Sequence, residues 1–121
     1  MNSMIAAYSG GALPAAIGIC RVSGPGVLTL ADKIFRPKKG RSMGEGPFSA
    51  MRYGEVLDSD GRALDLCLAC CYRGPASYTG EDMLEIFCHG SQAVAARILE
   101  RCMELGAQPA QAGEFTQRAF L

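Results

Sequence analysis

The chain has 121 residues, nearly half of them apolar, and its 12 basic and 12 acidic side chains cancel. This length fits one domain, and the apolar fraction is too high for a disordered tail. A neutral chain lacks the basic excess of a free-standing nucleic-acid binder, so we do not expect it to bind RNA tightly by itself. Its 15 glycines and 6 prolines indicate many turns and argue against a helical bundle.

The first third of the sequence predicts two strands and a helix. Strands are predicted at residues 5–8 and 15–22, each followed by a glycine-containing turn. Apolar residues at helical spacing predict a helix over residues 27–35, and Pro37 cannot continue it. Residues 38–47 are polar and glycine-rich, which predicts a mobile loop. We interpret the basic cluster beside it as a solvated surface; it comprises Arg36, Lys38, Lys39 and Arg41.

The rest of the chain predicts a hairpin, another strand and two helices. Strands are expected at 51–57 and 63–72, joined by a turn at 58–61. The second of these is almost entirely apolar, which predicts a central strand covered on both faces. A strand is expected at 83–88, and Ser91 and Gly106 bound a predicted helix. Residues 113–121 indicate the beginning of one more helix.

This order of elements predicts the fold class. Hairpin-linked strands interleaved with helices favour an α+β fold with a mixed, largely antiparallel sheet and helices packed on one face.

The six cysteines are predicted to be reduced, metal-free and mostly buried, since most lie in apolar runs; they are Cys20, Cys67, Cys70, Cys71, Cys88 and Cys102. No second Cys or His pair stands at zinc-ligand spacing from Cys67 and Cys70. Cys88 and His89 are adjacent on a predicted strand and so point to opposite faces, which excludes a close dyad. The N-terminus lacks a secretory signal pattern, and no apolar run is long enough to span a membrane, so we expect a cytoplasmic location.

Two charged residues lie among apolar neighbours. Arg21 shares a strand face with Ile17 and Ile19, and Glu85 lies within a predicted strand of apolar residues. A buried charge without a partner costs several kcal/mol. Either the two pair with each other or end at the surface, or they line a ligand pocket, and the residues alone leave both interpretations open.

The sequence contains neither a G-x-x-x-x-G-K-[ST] run nor a full G-x-G-x-x-G after a strand. We therefore expect no GTP hydrolysis by these residues and no catalytic or metal site.

Three stretches together resemble one family. They are IGICRVSG at 17–24, PASYTGEDMLEIFCHG at 75–90 and AGEFTQRAFL at 112–121. In this order and spacing they are similar to the N-terminal domain of the tRNA-modifying GTPases called MnmE or TrmE. That domain is itself similar to the folate-binding part of aminomethyltransferases. The resemblance implies a homodimer that binds 5-formyl- or 5,10-methylene-tetrahydrofolate.

Arg21 and Glu85 stand at the positions of the family's folate contacts. One carboxylate can accept both the amino group and the ring N–H of a pterin, a role that suits Glu85. Arg21 can pair with a carboxylate or carbonyl oxygen of the folate. The sequence also departs from the family, because residues 9–14 lack its usual arginine.

The resemblance further implies what the full protein does. Residues 1–111 are expected to form the folate-binding and dimerisation domain, and residues 112–121 to begin a connection to a helical and GTPase portion. That portion is expected to use GTP, magnesium and potassium, and to modify the wobble uridine of tRNA with a flavin-dependent partner. The strand at 5–8 is a candidate dimer edge. The alternatives are a stand-alone folate-dependent one-carbon transferase and an interaction domain that does not bind folate.

Overall fold

The computed structural model describes residues 3–120, which fold into a sheet and three α-helices. In chain order the elements are β1 (Ile5–Tyr8), β2 (Ile17–Ser23), α1 (Val27–Ile34), β3 (Phe35–Pro37), a 3₁₀ turn (Met43–Glu45), β4 (Arg52–Leu57), β5 (Ala63–Tyr72), β6 (Met83–His89), α2 (Gln92–Glu104), β7 (Gln108–Pro109) and α3 (Glu114–Ala119). The predicted strands, hairpin and helices are therefore present, with bounds shifted by one or two residues.

The sheet has seven strands in the described part of the chain, in the order β3-β4-β5-β6-β2-β1-β7. All neighbours are antiparallel except β1 and β7, which are parallel. The predicted α+β fold with a mixed, mostly antiparallel sheet is confirmed. The edge of β1 is not free, because Ile5 and Ala6 pair with β7, and a contribution of this strand to a dimer stays a prediction.

One face of the sheet, here called the helix-covered face, carries the hydrophobic core. Cross-strand register and alternation place on this face Ala6, Cys20, Val22, Val56, Cys67, Ala69, Cys71, Leu84, Ile86 and Cys88, all of them buried. They form one cluster with buried side chains of α1 and α2, such as Leu30 and Ile98. Burial of this apolar layer is the main source of stability in the fold.

The opposite, open face is covered only in part. On β5, Leu66 is 42% exposed and Leu68 is 40% exposed, so the prediction of a strand covered on both faces is wrong for this stretch. The helix α3 lies over the open face near β2, because the Phe115 ring is 5.8 Å from the Arg21 guanidinium. The prediction that helices pack on one face therefore holds for α1 and α2 but not for α3.

Local signals explain where several elements begin and end. Ser91 Oγ accepts a hydrogen bond from Val94 N–H at the start of α2, and Gly106 adopts φ 110° after its end. Asp58 Oδ1 accepts the N–H groups of Asp60 and Arg62, which closes the β4–β5 turn. Phe35 is extended and pairs with β4, so α1 ends at Ile34.

The segment predicted as a mobile loop is anchored to the domain. Arg52 donates hydrogen bonds to the carbonyl oxygens of Lys39, Arg41 and Gly46. Met43 is buried in the core. No helix in the described residues is long and apolar enough to cross a membrane.

Candidate functional site

Arg21 and Glu85 face each other directly on the open face. They are register partners on β2 and β6, and Arg21 Nε donates to Glu85 Oε2 at 2.8 Å, with Nη2 of the same arginine 2.7 Å from that oxygen. Their side chains are 23% and 12% exposed. The two charges that the sequence singled out are therefore brought together, and the ion pair that it left open as an alternative exists.

Tyr72 is a third member of the site and was missed by the sequence analysis. Its hydroxyl donates to Glu85 Oε1 at 2.9 Å, so Tyr72 holds one carboxylate oxygen and Arg21 holds the other. Burial, together with hydrogen bonds to Cys70 and Glu85, raises the pKa of Tyr72 above its ordinary value. The phenol therefore stays protonated and keeps donating at neutral pH. Nothing in the sequence near Tyr72 indicated this contact, which depends on how β5 and β6 pair.

Two aromatic rings lie close to the Arg21 guanidinium. The centroid of Tyr78 is 5.6 Å from the guanidinium carbon, and Phe115 lies at 5.8 Å. The Tyr78 hydroxyl lies 3.0 Å from the hydroxyl of Thr116, within hydrogen-bond distance, which joins the loop after β5 to α3. Contacts of this kind between a cation and an aromatic ring are worth about 0.5–2 kcal/mol.

A cavity of about 350 Å³ opens beside Glu85. It is lined by Ser49, Tyr72, Ala76, Ser77, Tyr78, Met83 and Glu85. This volume is within the usual range for small-molecule sites, and it offers a carboxylate and hydroxyl groups among apolar surfaces. Arg21 does not line the cavity; it reaches the site through Glu85.

The two other acidic residues of the 75–90 motif, Glu81 and Asp82, have structural partners. Arg118, which is 8% exposed, contacts Glu81 Oε1 at 3.1 Å and donates to the carbonyl oxygen of Ser3. Ser23 Oγ also donates to Glu81 Oε1. Asp82 accepts the N–H of Gly74. These contacts fix the loop between β5 and β6 and hold α3 against the domain.

His89 is paired with an acidic residue rather than with its neighbour Cys88. Its Nδ1 lies 2.6 Å from Asp65 Oδ1, and its backbone N–H donates to Asp65 Oδ2. Cys88 is buried on the other face and donates to the carbonyl oxygen of Gly18. The prediction that Cys88 and His89 form no dyad is confirmed.

All six cysteines are free thiols and all are buried, which confirms the prediction that most of them lie in the interior. Burial raises the pKa of Cys67, Cys71 and Cys102 to about 12, which keeps these thiols protonated. Within residues 3–120, His, Cys, Asp and Glu side chains form no group of three that could hold a metal ion.

Comparison with known proteins identifies the family. The family model described as "GTP-binding protein TrmE N-terminus" matches residues 4–121. The chain belongs to the TrmE (MnmE) N-terminal family. A protein of Symbiobacterium thermophilum named "tRNA modification GTPase MnmE" is 47% identical over 117 residues, which cover 97% of this chain and 26% of that protein.

Other members of the MnmE family align in the same way. The protein of the same name from Carboxydothermus hydrogenoformans is 40% identical, and the alignment covers 100% of this chain and 26% of that protein. The one from Thermus thermophilus is 45% identical, and the alignment covers 88% of this chain and 24% of that protein. The chain therefore spans about a quarter of the length of the relatives that it matches. Arg21, Glu85 and the residues around their cavity all lie within the part that matches the family model.

Proposed function

We propose that this chain is the tetrahydrofolate-binding and homodimerisation domain of a tRNA modification GTPase, with Arg21 and Glu85 at the folate site. The observation that carries the proposal is the Glu85 carboxylate, which borders a cavity of ligand size and is oriented by two donors. The ligand is 5-formyl- or 5,10-methylene-tetrahydrofolate.

Glu85 retains the hydrogen-bonding capacity that a pterin needs. A carboxylate offers about four acceptor sites, two on each oxygen. Tyr72 uses one site on Oε1, whereas both Nε and Nη2 of Arg21 lie against Oε2. Oε1 can therefore accept one further N–H of a pterin edge, and the neighbouring N–H shares Oε2 with the guanidinium. Arg21 supports this role by holding the Glu85 carboxylate in place.

The whole-protein role is part of the same proposal. Residues 1–111 form the binding domain, and residues 112–121 begin the connection to a helical and GTPase portion that uses GTP, magnesium and potassium. The full protein acts in the cytoplasm on the wobble uridine of tRNA, with a flavin-dependent partner. The printed names of the relatives support the link to tRNA modification and GTPase activity.

A second candidate is an interaction domain that does not bind folate. The observation in its favour is the ion pair itself, since Arg21 and Glu85 already compensate each other's charge. Buried and half-buried ion pairs often have only a structural role. A stand-alone one-carbon transferase is less well supported, because Glu81, Asp82 and His89 are all engaged in structural contacts.

Titration with 5-formyl-tetrahydrofolate tests the proposal. Glu85→Gln keeps the size of the side chain but cannot accept two N–H groups through equivalent oxygens, so we expect affinity to fall at least about tenfold. The matched control is Glu100→Gln, an exposed residue of α2 on the other side of the domain.

Isothermal titration calorimetry measures the affinity, and thermal unfolding without ligand checks that each variant folds. For the parent chain, folate at a hundredfold excess over its dissociation constant should stabilise the fold by about 2.7 kcal/mol. Absence of binding by the folded parent would favour the interaction domain. Equal affinity in the parent and Glu85→Gln would show that the site lies elsewhere.

A further inference from the structure

A second cavity lies away from Glu85, at the side of the sheet where β3 and β4 lie, and has a volume of about 700 Å³. It is lined by Lys38, Lys39, Gly40, Arg41, Pro47, Met51, Arg52, Tyr53 and Leu68, and is called the basic cavity below. Three of the four basic residues that the sequence analysis interpreted as a solvated surface thus form one wall of a concave site, and Arg36 lies outside it.

Three positive charges of this cavity lack an acidic partner. Arg36 and Lys38 are compensated by Glu55, at 2.9 and 3.9 Å. In the part of the chain that the structure describes, no carboxylate lies within ion-pair distance of Lys39, Arg41 or Arg52, whereas cations such as Arg101 and Arg118 have such a partner. The cavity therefore carries a local excess of positive charge in a chain whose net charge is zero.

The wall that carries these charges is preorganised. Arg52 Nη2 donates to the carbonyl oxygens of Arg41 at 2.7 Å and Lys39 at 3.2 Å, and its Nη1 donates to that of Gly46 at 3.2 Å. Gly40 adopts φ 86°, and a Cβ there would lie 3.0 Å from Arg52 Nη2. Arg52 is thus a positioning residue whose own charge is not cancelled by the neutral carbonyls it contacts. A preorganised wall reduces the entropy lost when an anion binds.

The floor of the basic cavity is apolar and leads towards Glu85. Met51, Tyr53 and Leu68 are all 40–51% exposed there. Leu68 pairs with Tyr53 on one side and with Phe87 on the other, and Phe87 is two residues from Glu85 along β6. The distance across the sheet from β6 to β3 is three strand spacings, or about 14 Å. An extended folate has a comparable length from its pterin to its glutamate.

We propose that the basic cavity holds the glutamyl carboxylates of the folate whose pterin binds at Glu85, which rests on the proposed function above. The aminobenzoyl part of the ligand lies over the apolar floor. Lys39 and Arg41 meet the carboxylates, and each added glutamate supplies one more negative charge. Arg52 holds their backbone in place. The site therefore discriminates among folates by the number of glutamates.

The test compares three ligands of the same one-carbon state: 5-formyl-tetrahydropteroate without glutamate, the monoglutamate and the triglutamate. The parent chain should bind the triglutamate about tenfold more tightly than the monoglutamate at low salt, since each added glutamate brings one more carboxylate to Lys39 and Arg41. The preference should shrink as ionic strength rises. In Lys39→Gln/Arg41→Gln it should disappear, while affinity for the pteroate stays at the parent value.

A matched control is Lys33→Gln/Arg97→Gln, which removes the same charge from α1 and α2 and should keep the preference. A parent that binds all three ligands equally, or a Lys39→Gln/Arg41→Gln variant that keeps the preference for the triglutamate, would overturn the glutamyl site and leave folate binding at Glu85 intact. A folded parent that binds none of the ligands would instead overturn the proposed function, and this inference with it.

Discussion

The two faces of the sheet have the same strands but different partners. The helix-covered face is a continuous apolar layer against α1 and α2, with Ile86 and Cys20 fully buried. The open face combines the Arg21–Glu85 pair, two cavities and apolar side chains that remain exposed. The two faces therefore differ in what their side chains contact. One face stabilises the fold through buried apolar contacts, and the other keeps charged groups, cavities and exposed apolar side chains.

The largest expected effect is alkaline destabilisation that originates on the helix-covered face. Burial raises the pKa of Cys67, Cys71 and Cys102 from 9.0 to about 12 in the folded chain. Below pH 9 the thiols are neutral in both states. Between pH 9 and about 12 they ionise only in the unfolded chain, so the free energy of unfolding falls as pH rises.

Urea denaturation across this pH range measures the decline. Cys71→Ala removes one of the thiols and should make the decline shallower than in the parent. Leu68→Ala on the open face removes none and should leave its slope unchanged. The same slope in parent and Cys71→Ala would show that the buried thiols do not control it.

Truncation of one side chain on each face tests the comparison directly. Ile86→Ala leaves a cavity in the core and should lower the free energy of unfolding by about 2–5 kcal/mol. Leu68→Ala removes a side chain that is already 40% exposed and should cost about 1 kcal/mol or less. Chemical denaturation gives both values. Similar costs would mean that the open face is covered in the native protein, for example by a second copy of the chain.

Homodimerisation is expected to use the open face rather than β1. Ile17 is 59% exposed and Leu66 is 42% exposed, and both lie beside the end of β6. In a two-fold interface the same residue is buried in both subunits, so one substitution acts at two places. Leu66→Asp should therefore weaken dimerisation by more than about tenfold. Sedimentation equilibrium over a wide concentration range measures this. Phe120→Asp, at another exposed apolar position, is the control. A parent that is monomeric at millimolar concentration, with and without folate, would exclude the dimer.

The smallest effect concerns Tyr72, the residue that orients Glu85 from β5. Tyr72→Phe removes the hydrogen bond to Glu85 Oε1, which is worth about 1.5–3 kcal/mol for a charged acceptor when it is fully lost. A ligand N–H or water can replace part of it, so we expect folate affinity to fall about three- to tenfold. Calorimetric titration measures the change, and Tyr8→Phe, at a side chain packed against the hydrophobic core, is the control. An unchanged affinity would show that Arg21 alone suffices to position Glu85.

The sequence predicted what local signals encode. Apolar periodicity, the Ser91 cap and the turn after Asp58 located most strands and helices, and apolar surroundings identified Arg21 and Glu85 as exceptional. The motifs also predicted the family correctly. Each of these signals lies within a few residues of chain, where side-chain spacing and backbone preference act directly.

Only the tertiary structure decided how these elements meet. The β2–β6 register set Arg21 opposite Glu85, and the β5–β6 pairing brought Tyr72 to the same carboxylate. The short strand β7 covered the edge of β1, and α3 packed on the face opposite α1 and α2. The hydrogen bonds that Arg52 donates to the polar loop fix that loop as the wall of the basic cavity. These outcomes depend on hydrogen bonds and contacts between residues far apart in the chain, which no local pattern specifies.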